Sequence, residues 1–568
     1  MAINKLKVTE LYQRCDTEQF DFKTTAKLES LDEIIGQKRA VGAIRFGVGI
    51  QRDGYNLFAL GPNGIGKSSL VRRYVEEKAQ SKDIPSDWCY VNNFQQPHKP
   101  HVLELPAGMG HELSIDMEQL IEDLHAVIPA VFESEEYRTR SQVIEEELSE
   151  RQERAIDELR KAAREKGISL INTPTGITLA PTRNDEVMKI EDFKRLPKEE
   201  RDKIEEDTEL LQERLIKALH KAPQWQKEAR DKVAALNREM SAYAAGNLVD
   251  AVRKKYQELP ALVEHLNQVE VDVVDHFRNF LRPEGEKPSF IESQLTGAEQ
   301  TSDTRYRVNA LVTRDTNAGA PVVYEDNPSY LNLIGRVEHR AYMGTLETDF
   351  TMIRAGALHQ ANGGYLILDA LKVLMQPFAW EGLKRALQSQ EIRMESLGQM
   401  TSLVSTVSLE PEPVPLQVKL VLLGDRRIYY LLSYLDPEFS ELFKVAVDFD
   451  DRMDRNTDSQ QLYARLVGTM VHDEKLLEFD SDAVARVIEH SARIVSDADK
   501  LSTHMRSLQD LLSEADYWAR EDNQEIVGRK DVQHAIDAAD HRADRIRERV
   551  QEEIERGTLL IDTTGKKV

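Results

Sequence analysis

The sequence predicts an α/β fold on a parallel sheet, opened by a long helical insertion that carries a small β-hairpin, and ended by a helical region. Three observations carry this expectation. Short apolar runs (Tyr55–Leu60, Tyr365–Leu368 and Val418–Leu423) alternate with stretches of helical periodicity. From about His111 to Leu281 the chain becomes charged and helical, and after about Asn456 it is helical again.

Taken in order, Ala40 to Val48 has apolar residues at helical spacing, and Tyr55–Leu60 ends on Gly-Pro as a buried strand does. A helix follows from Lys67, and Trp88–Val91 reads as the next strand. In the insertion, Ile144, Leu148, Ala155, Leu159 and Ala162 fall on one face. Leu211, Leu215, Ala218, Ala222, Ala229, Val233, Leu236 and Met240 continue the pattern at spacings of three and four, as in an antiparallel coiled coil or bundle. Ile168–Leu179 is two β runs around Pro174-Thr175-Gly176, a hairpin at the far end of the arms. Pro223 is expected to interrupt and kink the second arm. Tyr306–Val312 is strand-like, and Ala538–Glu555 is a charged helix. The expected divisions are 1–110, an N-terminal segment and the first part of the α/β domain; 111–285, the insertion, with its hairpin near 168–180; 286–455, the second part; and 456–568, the helical end.

The 568 residues carry a net charge of −24, which argues against a sequence-independent grip on nucleic acid. Charged residues make up 31%, above the roughly 25% of ordinary domains, as long solvated helices require. Two cysteines, Cys15 and Cys89, are too few for a disulfide framework and are expected as reduced thiols. No run approaches the ~18 apolar residues of a membrane span, and Met1–Thr9 lacks the apolar core of a signal peptide. The expected location is the cytoplasm, with no membrane partner.

Gly61-Pro62-Asn63-Gly64-Ile65-Gly66-Lys67-Ser68 fits G-x-x-x-x-G-K-[ST] at every fixed position, between a predicted strand and a predicted helix. Its glycines let backbone N–H groups turn inward around phosphates, and the helix N-terminus adds its positive end. Lys67 is expected to reach the β- and γ-phosphates of ATP and Ser68 to hold Mg²⁺, with Ser69 completing the nucleotide-binding set. Asp369, ending Gly363–Asp369, is the expected Mg²⁺ carboxylate; a plain helix cap is the alternative. Many ATPases place a Glu directly after this Asp to polarise water. Here Ala370 stands there, and Glu381 is a possible substitute or a solvated surface residue.

The layout resembles AAA+ ATPases and, within them, the LonB-type branch of Lon-like proteases. The likeness rests on Leu31–Ala40, Trp88–Pro97, Gly319–Pro328 and Arg354–Gly364, and extends over nearly the whole chain, the helical insertion included. It implies an ATP-hydrolysing motor that unfolds and translocates protein, working as a homo-oligomer, a hexameric ring in this family, on unfolded or damaged substrates. By the same resemblance Asp425 sits at the sensor-1 position and Arg506 at that of a sensor-2 arginine. Lys444, Arg452 and Arg455 are candidates for the residue donated across a subunit boundary. Tyr342-Met343-Gly344 resembles the pore loop that grips polypeptide, a buried core tyrosine being the alternative. A Ser–Lys peptidase domain follows the lid in that family, and none is expected in this sequence. Two other readings stay open: a nucleotide-binding scaffold with little turnover, supported by Ala370, and a nucleic-acid-associated coiled-coil ATPase.

Overall fold

Short runs that are apolar on both faces belong in the middle of a parallel sheet covered by helices, and three of them form the centre of this one. The computed structural model describes residues 12–31, 35–173, 176–183, 186–188, 193, 197–281, 303–342, 345–395 and 409–561. Strands β1 (Leu57–Leu60), β2 (Val322–Glu325), β3 (Tyr365–Asp369), β4 (Lys419–Gly424) and β5 (Val445–Asp448) form one sheet in the order β5-β1-β4-β3-β2, every neighbouring pair parallel. β1 and β4 are buried throughout, and β3 everywhere except Asp369. Leu60 lies in register with Gly424 and with Asp448, and Asp369 with Leu423, so four strands end level along one edge. The strand order reverses beside β1, which is where an open parallel sheet receives its ligand.

Helices α1 (Lys38–Gly49) and α2 (Lys67–Gln80) cover one face. Ala40, Ile44, Val48, Leu70, Val71 and Val75 pack there with Ala59, Ile367, Val421 and Val447. On Phe58 lie the rings of Tyr429 and Phe439, at 5.3 and 5.8 Å between centroids. Tyr429 belongs to α5 (Arg426–Leu435) and Phe439 to the short helix Phe439–Leu442 after it; α3 (Ala370–Met375) and α4 (Ala379–Ser389) follow β3.

Beyond β5 the chain builds a helical lid from α6 (Thr457–Asp473), α7 (Ser481–Val495), α8 (Met505–Glu521) and α9 (Arg529–Ala543), with its own core of Tyr463, Val467, Phe479, Val484, Ile488, Leu512 and Val532. The segment from Tyr12 to Leu31 is bound to this lid. The Cys15 N–H donates to buried Glu489 at 3.0 Å, the Leu31 N–H to Thr469 Oγ1 at 2.8 Å, and Phe20 and Phe22 pack on the lid core. Ala538–Glu555 is not one helix: α9 ends at Ala543 and a separate helix spans Arg545–Glu555.

These parts form one compact unit (Met1–Trp88, Pro106–Gly108 and Leu311–Val568); Cys89–Leu105 with Met109–Ala310 forms a second. Trp88–Val91 is a strand, but not of the five-stranded sheet: Asp87–Val91 lies between His101–Leu105 and Val308–Val312. Tyr306 falls in a 3-10 turn just before the last of these. The second unit's helices Met109–Glu133, Lys198–Lys255 and Pro260–Asp275 share a core of Leu113, Met117, Leu124, Val249, Leu266 and Val273.

Helix Glu135–Glu165 and the helix Lys198–Lys255 form the arm. Arg140–Glu239, Lys232–Glu147, Arg151–Glu228 and Lys166–Asp207 pair across it at 2.7, 2.5, 3.2 and 2.6 Å, rising along one helix as they descend the other, so the two run antiparallel. Such exposed pairs contribute about 0–1 kcal/mol each; the seam residues Leu159, Leu211, Leu215, Leu236 and Met240 are buried and supply the larger share. Ile168–Thr173 and Gly176–Arg183 pair as an antiparallel hairpin at the far end; Pro174 and Thr175 of the expected turn lie outside the described residues. Contrary to expectation, Pro223 does not interrupt the second arm. Helical structure continues through it, because one missing N–H on the exposed side of a 58-residue helix leaves the bonds on either side intact. No described helix is long and apolar enough to cross a membrane.

Candidate functional site

The loop between β1 and α2 is shaped by its glycines. Gly64 and Gly66 have φ of +85° and +82°, in the left-handed region that a Cβ disfavours, and Gly66 is the residue from which α2 starts. The Gly61 N–H donates to Gly424 O at 3.3 Å, tying the loop to the end of β4, and the Leu70 N–H to Gly66 O at 3.0 Å opens the helix. Lys67 is 8% exposed, and its Nζ donates to the carbonyls of Gly61 and Pro62, the latter at 2.8 Å. Burial holds its ammonium below the usual lysine range, while Asp425 and Asp369 oppose that shift and Arg426 adds to it. Lys67, Asp369 and Asp425 are therefore electrostatically coupled at the carboxyl edge of β1, β3 and β4.

Both carboxylates are fixed in the same way. Asp369 caps α3 by accepting the Lys372 N–H at 2.9 Å, and Asp425 caps α5 by accepting the Arg427 N–H at 2.6 Å. The helix cap weighed as an alternative for Asp369 is thus present, and it occupies one oxygen only. Ala370 is 1% exposed, and its Cβ lies 3.2 Å from where a Cβ at Gly424 would stand. Ser68 and Ser69 are exposed on the first turn of α2, in a cleft shared with Arg72, Arg73, Glu76 and Glu77.

The lid reaches the loop through the start of α8. The Arg506 N–H donates to Gly64 O at 3.0 Å, but the Arg506 side chain is 68% exposed and pairs with Asp510 at 3.2 Å. At the other end of the lid connection, Gln37 exchanges two hydrogen bonds with the backbone of Asp450, at 2.8 and 3.0 Å. Arg426, beside Lys67, bonds Asp448 at 3.1 Å. Sequence reading singled out neither Gln37 nor Arg426, since their partners lie 413 and 22 residues away and no motif links them.

The remaining candidates lie elsewhere. Glu381 is an exposed residue of α4 paired with Lys384 at 3.0 Å, the solvated-surface reading given for it above. Arg455 donates to Ala498 O and Gln13 O at 3.2 and 3.1 Å, so its guanidinium is occupied within the lid. Lys444 precedes β5, at the amino end of the sheet, with its Nζ 5.2 Å from the Tyr55 ring centroid; Arg452 is exposed beside Asp451. Tyr342 ends the strand Arg340–Tyr342 and pairs with Thr345; Met343 and Gly344 lie outside the described residues. In the approach to β3, Arg314 donates to the carbonyls of His359, Gln360 and Asn362 at 2.7–3.3 Å, holding the turn that delivers Asp369.

Against families of known proteins, residues 318–450 match the LonB-like AAA domain, residues 478–542 the archaeal LonB AAA+ ATPase lid domain, and residues 87–120 the Lon-like LonC helical domain. The archaeal Lon protease of Archaeoglobus fulgidus (strain ATCC 49558 / DSM 4304 / JCM 9628 / NBRC 100126 / VC-16) is 27% identical over 198 residues, covering 34% of this chain and 31% of that protein. That of Halobacterium salinarum (strain ATCC 700922 / JCM 11081 / NRC-1) is 25% identical over 209 residues, covering 36% and 29%. The chain thus spans about a third of the length of the curated relatives it matches. Among solved structures, NtrX from Brucella abortus in complex with ATP is 17% identical, covering 37% of this chain and 44% of that one, with a TM-score of 0.25.

Proposed function

We propose that this chain, which carries the AAA+ module of a Lon-like protein, binds and hydrolyses ATP and couples turnover to the unfolding and translocation of protein substrates. The observation that carries the reading is that Asp369 and Asp425 stand at the level ends of β3 and β4 beside the buried Lys67 ammonium, next to a loop whose Gly64 and Gly66 are in the left-handed region. Lys67 would leave its two loop carbonyls for the β- and γ-phosphates. Ser68 and the second oxygen of Asp369 suit Mg²⁺, which takes one or two protein ligands and completes its shell with phosphates and water. When bound, the ion would neutralise charge on the transferred phosphoryl group. With Ala370 buried in place of a water-orienting Glu, the free oxygen of Asp425 is the acid that takes that task. Arg506 would exchange Asp510 for phosphate as the lid closes.

The assembled form in this reading is a ring of identical subunits in the cytoplasm, with Tyr342 on the polypeptide path. In support, α3 and α5 carry solvent-exposed Leu371, Met375, Tyr430, Tyr434 and Leu435, an apolar set that a monomer has no use for. The test is steady-state ATPase against protein concentration, with Lys67→Ala as the blank. Turnover per chain that rises cooperatively, and rises further with an unfolded protein, is expected. Turnover equal to the blank with nucleotide still bound would replace this reading with a nucleotide-binding scaffold, which the buried Ala370 favours.

A further inference from the structure

Building on the ATP site proposed above, we infer that His504 is a second lid contact to the phosphate chain, one that does not depend on the Arg506 side chain. His504 precedes α8, and its Nδ1 accepts the Ser507 N–H at 3.2 Å and lies 2.8 Å from Ser507 Oγ. A ring nitrogen that accepts a backbone N–H carries no proton, so in the neutral imidazole the proton sits on Nε2. No hydrogen-bond partner of Nε2 occurs among the described residues.

The ring edge bearing that proton lies against the phosphate-binding loop. A Cβ built on Gly64 would stand 2.5 Å from His504 Cε1 and 2.7 Å from Nε2, closer than any real side chain tolerates. Gly64 is therefore fixed twice, by its φ of +85° and by the imidazole that fills the space where a side chain would be. The backbone adds a second tie at the same glycine, Arg506 N–H to Gly64 O at 3.0 Å. In this arrangement the start of α8, with its positive end, rests on the loop whose amides cradle phosphate. The free donor there is the imidazole; the Arg506 guanidinium is turned away onto Asp510.

A donor on the lid side of the loop does what loop amides alone cannot: it makes the position of α8 depend on whether phosphate is present. His504 thus binds nucleotide and links its occupancy to lid closure. Arg506 joins when the γ-phosphate draws it from Asp510. The two residues would divide the work, His504 contacting ADP and ATP alike and Arg506 distinguishing them.

The discriminating variant is His504→Asn, since Asn keeps a capping oxygen for the Ser507 N–H and loses the ring N–H. Affinity for mant-ADP and mant-ATP would be measured for the full chain, His504→Asn, Arg506→Ala and Lys67→Ala, with the thermal midpoint of each recorded without nucleotide. His504→Asn should melt with the unaltered chain and bind both nucleotides about 10- to 100-fold more weakly, the range for a hydrogen bond to a charged group. Arg506→Ala should weaken mant-ATP but leave mant-ADP within about twofold. If His504→Asn binds both as the unaltered chain does, while Lys67→Ala binds neither, the inference about His504 is wrong and the ATP site stands. If the unaltered chain binds neither nucleotide, the site reading falls, and His504 with it.

Discussion

Asp425 and Asp369 are each held by the cap of the helix that follows their strand, which lets their charge be removed without moving the backbone. Asn caps a helix about as well as Asp, so Asp425→Asn and Asp369→Asn should both fold normally and differ only in chemistry. For Asp425→Asn the expected outcome is a fall in kcat of ~10²–10⁴, the usual size of a lost acid–base or water-orienting group, with ATP affinity within about twofold. Asp369→Asn should instead raise the Mg²⁺ concentration needed for half-maximal turnover. Equal kcat for Asp425→Asn and the unaltered chain, measured by phosphate release at saturating ATP, would remove Asp425 from the mechanism. What was legible at this scale follows the same division. Gly61–Ser68 is contiguous and its spacing encodes its geometry, and Asp369 announces itself by ending an apolar run. His504, Gln37 and Arg426 stand in stretches that the sequence does mark, beside Arg506, within Leu31–Ala40 and beside Asp425, but their own contacts are tertiary and no spacing announces them; Glu381 had a suitable side chain in the right stretch but pairs with Lys384.

At the scale of elements, periodicity identified the arm well because its seam is local. Spacings of three and four name the buried positions directly, and Leu211, Leu215, Leu236 and Met240 are all buried. It did worse on sheet membership. β2 and β5 have four residues each, and their pairing with β3 and β1 is set by partners far along the chain. Trp88–Val91 was apolar enough to be a strand, yet apolarity does not say which sheet a strand joins. Periodicity is equally silent about polar groups at core positions, and His265, on the buried face of Pro260–Asp275, is one. Among the described residues neither ring nitrogen has a hydrogen-bond partner, the ring stacks on Phe94 at 5.8 Å, and burial, with His101 nearby, pushes its pKa down to about 4. Because the folded pKa is depressed below 6.5, the unfolded chain takes up the proton first. Stability carried by neutral His265 is complete above pH 6.5 and is lost as pH falls toward 4. At ~1.4 kcal/mol per pH unit the loss reaches about 3 kcal/mol. His265→Phe should therefore raise the melting temperature of the helical unit more at pH 4.5 than at pH 8. A gain that is the same at both values would mean the imidazole is not the group that titrates.

For the whole molecule, charge and apolar surface pull in opposite directions. A net charge of −24 makes copies of the chain repel one another. Tyr434 and Leu435, 87% and 70% exposed on α5, together with Met375 at 74% after β3, offer apolar area that water would leave. Repulsion between exposed charges falls once the Debye length drops from about 10 Å at 0.1 M salt toward about 3 Å at 1 M, whereas apolar contact does not weaken. If copies associate through this face, assembly should strengthen with salt up to a few hundred millimolar, and the double variant Tyr434→Ser, Leu435→Ser should stay monomeric throughout. Both residues lie at the end of α5 away from Asp425, so mant-ATP binding in the variant should match the unaltered chain while its turnover no longer rises with protein concentration. Sedimentation velocity across a salt series, with ATP present, reads the assembly directly. Mass that falls as salt rises would point to association through ion pairs and away from this face. A variant that assembles as well as the unaltered chain would mean that these side chains are exposed for some other purpose, and the cooperative turnover expected of a ring would then need a different interface.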